Sequence, residues 1–119
     1  MTPVEQLIKE RIQREGPMTF AEFMRLALYE PNSGYYVIGP ARMGWEGKDY
    51  FTSNDVSPLF AHCMGRQLLT LWEQLAHPTP FVVVEQGAGR GDLGREITTW
   101  AQQEYPEFAT TLQYVSEDI

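Results

Sequence analysis

One acidic residue and four glycines stand close together in the middle of the chain, and their types and spacing could bind a small ligand. Glu85 follows the apolar run 81–84, and the glycines occupy positions 87, 89, 91 and 94. Three residues of the run are β-branched and the run does not alternate, which predicts a strand buried on both faces. Apolar residues then recur at helical spacing. The stretch therefore predicts a strand, a glycine loop and a helix, and ligands bind at strand ends in such folds.

The glycines fit two overlapping patterns that favour different ligands. Gly89, Gly91 and Gly94 have the spacing of the dinucleotide fingerprint, in which the amino terminus of a helix binds a pyrophosphate. Glu85 at the strand end would repel that anion. The alternative pattern begins at Glu85 and continues with Gly87, Gly89 and Gly91. It suits S-adenosylmethionine, because a carboxylate attracts the sulfonium and the ammonium of that cofactor and because glycines let the backbone approach a ligand closely.

Neighbouring residues bear on the other interpretations of this loop. An NTPase phosphate loop would need Lys and then Ser or Thr where Arg95 and Glu96 stand. A plain β–α turn needs fewer glycines than four in eight residues. A second strand is predicted at 112–115, and an acid at its end could accept hydrogen bonds from ribose hydroxyls. Glu117 is placed for that role, and Asp118 competes for it.

The composition is that of a globular protein without a broad basic surface. The 119 residues are 43% hydrophobic and carry a net charge of −7, which argues against a nucleic-acid partner. Cys63 excludes an intrachain disulfide because it is the only cysteine, and no apolar run reaches the roughly 20 residues that cross a bilayer. The two histidines show no metal-ligand spacing. The amino terminus lacks the apolar core of a signal peptide and mixes acids with bases, which predicts a cytoplasmic protein.

Helical periodicity and β-branched runs predict four helices and up to three strands. The predicted helices cover 4–14, 20–30, 57–77 and 92–103. The predicted strands cover 81–86 and 112–115, a short strand or extended piece is predicted at 35–38, and a loop is predicted at 39–48. A capping box of Thr19 and Glu22 begins the second helix, Ser57 caps the third, and Tyr105-Pro106 ends the fourth.

These elements predict an α/β fold in two parts. Residues 1–78 form a helical cap with a glycine-rich loop, and residues 79–119 form the first β-α-β of a nucleotide-type fold. A doubly wound sheet normally contains more β-α units, so the sequence is expected to be a piece of a longer protein. Because half the pocket wall would then be absent, the 119-residue chain by itself is expected to bind a cofactor weakly and to be inactive.

Three segments share a further pattern. They read MTFAEFMRLALYEPNSGYY at 18–36, GKDYFTS at 47–53 and VEQGAGRGDL at 84–93. In this order and spacing they resemble the MidA-type S-adenosylmethionine-dependent methyltransferases, the family of a mitochondrial complex I assembly factor that methylates an arginine. The chain departs from the family where Asn54-Asp55 replaces Pro-Glu and where Lys48 is inserted. Without the resemblance, Asp55 is equally well explained as a helix cap.

The resemblance implies a Rossmann-like methyltransferase fold, S-adenosyl-L-methionine as the cofactor and a protein arginine as the acceptor. It also implies that Thr52 and Ser53 lie close to the cofactor. Glu85 and the loop Gly87-Ala88-Gly89-Arg90-Gly91 are predicted to hold the methionine part. The acceptor would attack the sulfonium methyl in line, with positioning and electrostatics providing most of the rate. Two alternatives stay open: an NAD(P)-dependent oxidoreductase that uses the GxGxxG loop, and a non-enzymatic assembly factor that retains the fold.

Overall fold

A computed structural model describes residues 1–39 and 50–118. Residues 1–39 belong to one compact unit and residues 50–118 to a second. The first unit contains α1 (Pro3–Glu15) and α2 (Phe20–Tyr29). The second contains α3 (Ser53–Val56), α4 (Leu59–Gln74), β1 (Phe81–Gln86), α5 (Asp92–Glu104), α6 (Pro106–Thr111) and β2 (Leu112–Glu117). The strands pair in parallel, with Phe81 opposite Leu112.

The first unit is a pair of helices joined by charged side chains. Thr19 Oγ1 accepts a hydrogen bond from Glu22 N at 3.2 Å, which confirms the predicted cap of α2. The Glu22 carboxylate does not complete the predicted capping box. It accepts instead from Arg11 of α1 and from Arg25 of α2. The ion pairs therefore connect the two helices through one carboxylate.

Residues 35–37 form a turn and Ile38 a bend, so the predicted strand or extended piece there was wrong. Gly34 N donates to Glu30 O at 2.8 Å, and Tyr35 N donates to Ala27 O at 2.9 Å. A β-carbon on Gly34 would lie 2.5 Å from Glu30 N, so the chain needs glycine to return this closely. The carbonyls of Ala27 in α2 and of its C-cap Glu30 satisfy these amides, and no strand partner is required.

Acid should weaken the connection between α1 and α2. The hydrogen bonds from Arg25 and Arg11 lower the pKa of Glu22 from its ordinary 4.5 to about 2. The unfolded chain then binds this proton more tightly than the folded chain, so the stabilisation is present above pH 4.5 and is lost as the pH falls towards 2. We expect Glu22→Gln to lower the melting temperature at pH 7 and to have no effect near pH 2. Circular dichroism melts between these pH values measure the difference.

The matched control for this prediction is Glu10→Gln. Glu10 is an exposed acid of α1 that accepts a hydrogen bond from the neutral Gln6. Its substitution should change the melting temperature little at any pH. A Glu22→Gln deficit that stayed the same from pH 7 to pH 2 would contradict the role of the ion pairs.

The core of the second unit lies between the helices and one face of the sheet. Its buried side chains come from α4, β1, α5 and α6: Leu69, Trp72, Phe81, Trp100, Ala101 and Phe108. The helices approach closely where a β-carbon on Gly65 would lie 2.5 Å from the ring of Trp100. The indole of Trp72 donates to Pro78 O at 3.1 Å and so fixes the entry into β1. These contacts place the carboxyl ends of both strands beside the start of α5.

The two faces of the sheet differ. Phe81 is buried, whereas Val82 and Val84 remain 52% and 53% exposed. The prediction that β1 is buried on both faces was therefore wrong for the described residues, because their helices pack on the face that carries Phe81. The unbroken apolar run indicates a strand with apolar side chains on both faces. It does not indicate whether other elements pack on both faces.

Other boundaries agree with the sequence more closely. The strand at 81–86 is confirmed, and α5 ends one residue later than predicted. Ser57 Oγ accepts from Leu59 N at 3.1 Å, so α4 begins close to its predicted start. It ends earlier, at Gln74, because Ala76 and His77 adopt positive φ.

Two helices were missed, α3 and α6. Pro106, predicted only to end a helix, begins α6, where its fixed φ suits the first turn.

The predicted loop 39–48 lies almost wholly outside the described residues, and so do positions 47–49 of the second family segment. The division into 1–78 and 79–119 stays a prediction about domains, although α4 and α5 lie in one compact unit. Within 1–39 and 50–118, no helix has both the length and the apolar character needed to cross a bilayer.

Candidate functional site

The loop after β1 takes a backbone conformation that requires glycine at every second position. The φ angles are +71° at Gly87, +58° at Gly89 and +75° at Gly91. A residue with a side chain pays about 1–2 kcal/mol for this left-handed region. Ala88 lies between the first two glycines, and its amide donates to Glu117 O at 3.0 Å. The loop is thereby attached to the end of β2, and the pattern that begins at Glu85 explains all three glycines.

Gly94 has a different role, because α5 lies against β2 at this position. A β-carbon on Gly94 would lie 2.4 Å from the ring of Tyr114. The last glycine of a dinucleotide fingerprint also serves helix–strand packing. Gly94 therefore does not separate the two glycine patterns.

Tyr114 holds the carboxylate at the end of β1. Its hydroxyl donates to Glu85 Oε2 at 2.8 Å. Burial, and then the hydrogen bond and charge of Glu85, raise the pKa of Tyr114 above its ordinary value, so the phenol remains a donor at neutral pH. The ring packs on Gly94, and the hydroxyl fixes one carboxylate oxygen of Glu85.

A cavity of about 260 Å³ opens beside this carboxylate. Its walls come from α3, the start of α4, the end of β1 and the glycine loop with the first turn of α5. The lining residues are Thr52, Ser53, Asn54, Asp55, Phe60, Glu85, Gly87, Ala88, Arg90, Asp92 and Leu93. Elements far apart in sequence thus meet at the carboxyl end of β1.

The charge of the lining residues favours a cationic group. The described lining includes the carboxyl groups of Asp55, Glu85 and Asp92 and a single guanidinium, that of Arg90. Arg90 Nη2 lies 2.8 Å from Asp55 Oδ1, and Arg90 Nε lies 2.8 Å from Asp92 Oδ2. The guanidinium is therefore matched by two of the three acids, while Glu85 faces a neutral phenol. Nowhere in the described residues do three or more His, Cys, Asp or Glu side chains form a metal-binding group.

The short helix α3 is capped by the acid that also meets Arg90. Asp55 Oδ2 accepts from Thr52 N at 2.8 Å and from Thr52 Oγ1 at 3.1 Å. The backbone hydrogen bond from Thr52 is the main cause that lowers the pKa of Asp55. Asp55 therefore has a capping role, although it lies within α3 and completes a capping box whose N-cap is Thr52, and the same side chain also lines the cavity.

The structure brings five of the eight predicted site residues to one cavity: Thr52, Ser53, Glu85, Gly87 and Ala88. The other three, Gly89, Gly91 and Glu117, lie outside its lining. The amide of Gly89 donates to the carboxylate of Asp118, and Gly91 begins α5. Glu117 ends β2 and is exposed. The binding roles of all eight residues stay predictions.

From the sequence, no role was predicted for the side chains of Arg90 and Asp92, both of which line the cavity. Arg90 stands inside a loop expected to receive a cationic ligand, where an unpaired guanidinium would be repelled. That conflict was the available signal, because it requires a nearby acid. Asp92 is two residues away in sequence, whereas Asp55 could not be found without knowing that 52–56 folds against the loop.

Comparison with known proteins agrees with these observations. A family model described as S-adenosyl-L-methionine-dependent methyltransferase matches residues 63–118. The protein arginine methyltransferase NDUFAF7 homolog, mitochondrial, of Drosophila melanogaster is 38% identical over 90 residues, 76% of this chain and 20% of that protein. The Homo sapiens protein arginine methyltransferase NDUFAF7, mitochondrial, is 35% identical over 97 residues, 82% of this chain and 22% of that protein. The chain thus spans about a fifth of the length of these curated relatives.

A solved structure shares the fold. It is a COG1565 superfamily member from Burkholderia thailandensis bound to S-adenosyl-homocysteine, with a TM-score of 0.70 at 23% sequence identity. The match covers 94% of this chain and 36% of that chain. The predicted α/β, Rossmann-like methyltransferase fold, of which this chain holds a part, is confirmed.

One prediction is contradicted by the relatives and another is confirmed. The cytoplasmic location was wrong, since the relatives are named as mitochondrial proteins. The mixed charges at the amino terminus belong to the paired helix α1 and carry no information about a compartment. The family prediction is confirmed: the chain belongs to the MidA-type family of S-adenosyl-L-methionine-dependent methyltransferases.

Proposed function

We propose that the protein containing this chain is an S-adenosyl-L-methionine-dependent methyltransferase and that this chain holds the methionine part of the cofactor. The main support for this proposal is that Glu85 and a loop of left-handed glycines border a cavity lined by three carboxyl groups and one guanidinium. A pyrophosphate would be repelled there, whereas an ammonium and a sulfonium would be attracted. When bound, the cofactor supplies an electrophilic methyl group.

The residues of the chain divide the binding task. Glu85 would bind the positive groups, and Gly87 and Ala88 would let the backbone approach the ligand, with Gly89 and Gly91 shaping the loop. Thr52 and Ser53 would cover the ligand from α3. Small-molecule sites usually measure about 300–1,000 Å³, so the cavity of about 260 Å³ suits only part of the cofactor. The ribose would lie beyond this cavity, towards the end of β2. Glu117 would accept hydrogen bonds from the ribose hydroxyls there, and Asp118 is the alternative acceptor.

The acceptor is proposed from the relatives. Their names describe protein arginine methyltransferases, which supports a protein arginine as the substrate. A role in complex I assembly, implied by the family resemblance, is part of the same proposal. We assign no catalytic base to the described residues. The acids that line the cavity lie beside the proposed cofactor contacts, and no separate position for the acceptor is defined.

Calorimetric titration of the full-length protein with S-adenosylhomocysteine and with NAD tests this function. We expect micromolar or tighter binding of the first ligand and no measurable binding of the second. Tight NAD binding without a response to S-adenosylhomocysteine would support the oxidoreductase alternative instead. If Glu85→Ala and Gly87→Val abolished cofactor binding but left the cellular role intact, the non-enzymatic alternative would be favoured.

Removal of the Tyr114 hydroxyl should weaken cofactor binding. Tyr114→Phe keeps the ring against Gly94 but loses the donor to Glu85. A hydrogen bond contributes about 0.5–1.5 kcal/mol, so we expect the dissociation constant for S-adenosylhomocysteine to rise about twofold to tenfold. Calorimetry measures the change.

Tyr105→Phe is the control for this substitution. It also removes a phenol, one that accepts from Arg66 Nη1 at 3.4 Å and does not line the cavity. Its affinity should match the wild type. Equal affinity of Tyr114→Phe and wild type would show that Glu85 needs no support from the phenol.

A further inference from the structure

An ion pair joins the segment 52–56 to the glycine loop. Arg90 Nη2 and Asp55 Oδ1 lie 2.8 Å apart, although the residues are 35 positions apart in sequence. The Asp55 side chain is only 11% exposed and that of Arg90 is 43% exposed. The Asp55 end of the pair is therefore sheltered from solvent, whereas the Arg90 end is exposed.

The Asp55 carboxylate serves both partners at once. Its Oδ2 atom accepts from the amide and the hydroxyl of Thr52, and its Oδ1 atom accepts from Arg90. The atom that shapes α3 and the atom that connects α3 to the loop therefore belong to one rigid group. Because the carboxylate is planar, a shift of Arg90 would be transmitted to Thr52.

The other end of the ion pair is also fixed. Arg90 stands between Gly89 and Gly91, whose left-handed φ angles set the course of the loop. Its Nε atom donates to Asp92 Oδ2 at 2.8 Å, at the start of α5. The guanidinium thus has two directed hydrogen bonds, which a fork of this shape makes better than an ammonium does.

We propose that Asp55 and Arg90 are positioning residues that hold Thr52 and Ser53 at the edge of the cavity and thereby set the affinity for the cofactor. This inference rests on the proposed function. The pair also neutralises the guanidinium beside a site for a cationic ligand. Neither residue needs to touch the cofactor for this role.

The sign of the effect separates positioning from simple charge. Removal of a cation near a cationic ligand should strengthen binding if only the electrostatic field matters. If Arg90 acts by holding the segment 52–56, its loss should weaken binding instead. Arg90→Gln therefore gives opposite results under the two explanations.

A double-mutant cycle in the full-length protein tests the inference. Asp55→Asn keeps an acceptor for Thr52 but removes the charge, and Arg90→Gln removes the partner. Each substitution should raise the calorimetric dissociation constant for S-adenosylmethionine by about threefold to tenfold. The dissociation constant of the double variant should not exceed the larger of the two single-variant values. Arg90→Lys, which keeps the charge but not the fork, should weaken binding less than Arg90→Gln.

Arg95→Gln is the matched control. Arg95 also pairs with Asp92, at the same end of α5, but it does not line the cavity and its side chain is 66% exposed. Its affinity should equal that of the wild type. Circular dichroism of each variant confirms that the fold is retained.

Hydrogen exchange provides a readout that needs no cofactor. The amides of 53–56 should exchange faster in Arg90→Gln than in the wild type or in Arg95→Gln. Unchanged exchange of these amides, or dissociation constants whose fold-changes multiply in the double variant, would overturn the inference. The proposed function would still stand if the wild type bound S-adenosylmethionine. A wild type that bound no S-adenosylmethionine would overturn both.

Discussion

Replacement of Glu85 by glutamine is expected to weaken the binding of S-adenosylmethionine by about tenfold to a hundredfold. Hydrogen bonds to charged groups contribute about 1.5–3 kcal/mol, and each 1.4 kcal/mol corresponds to a factor of ten. The amide keeps the size of the side chain and an oxygen that can accept from Tyr114, so the fold should change little. Calorimetric titration of the full-length protein measures the loss. NAD, which should not bind to the wild type, should gain rather than lose from this change.

Glu104→Gln is the control for charge. It removes one carboxylate from the exposed end of α5, outside the cavity lining. Its affinity for S-adenosylmethionine should stay within a factor of two of the wild type, since exposed charges beyond about 10 Å are screened by salt. If Glu85→Gln bound the cofactor as tightly as Glu104→Gln, Glu85 would have no part in selecting a cationic ligand.

Gly94→Ala should destabilise the second unit and also disturb the site. The new β-carbon would lie 2.4 Å from the ring of Tyr114, well inside van der Waals contact. Overpacking costs about 1–3 kcal/mol, and alanine recovers up to about 1 kcal/mol of helix propensity. We expect a net loss of about 1–2 kcal/mol in the free energy of unfolding, measured by chemical denaturation. Displacement of Tyr114 should also weaken cofactor binding through Glu85.

Two variants separate this clash from other effects. Gly39→Ala is the matched substitution, because no atom lies within 4 Å of its β-carbon position, and it should leave the stability nearly unchanged. Tyr114→Leu removes the ring, so Gly94→Ala should cost less in that background. An equal cost of Gly94→Ala with and without the ring would contradict the packing of Gly94 on Tyr114.

The sequence predicted the strand, the glycine loop and the helix at 81–104 because their signals are local. The same is true of the caps at Thr19 and Ser57, where a side chain bonds to a backbone amide two or three residues away. The carboxylate at the strand end and the spacing of the glycines then sufficed to choose a cationic cofactor, and the three segments 18–36, 47–53 and 84–93 together predicted the family.

The errors concern partners that are distant in sequence. The amides of Tyr35 and Tyr36 donate to carbonyls of α2, which no local pattern reveals, and so 35–38 was mistaken for a strand or extended piece. The contact between Asp55 and Arg90 depends on how α3 folds against the loop. The bare face of β1 depends on what covers the sheet, and the side chains of Val82 and Val84 cannot indicate that.

Photochemical cross-linking of methyl-tritiated S-adenosylmethionine to the full-length protein shows directly whether the cavity beside Glu85 holds the cofactor. Trypsin releases the loop after β1 within residues 67–90 and the segment over the cavity within residues 49–66. We expect the label to lie in these two peptides, and we expect excess S-adenosylhomocysteine, but not excess NAD, to abolish it. Specific labelling confined to peptides outside 49–90, or labelling that NAD abolishes, would show that this cavity does not bind S-adenosylmethionine.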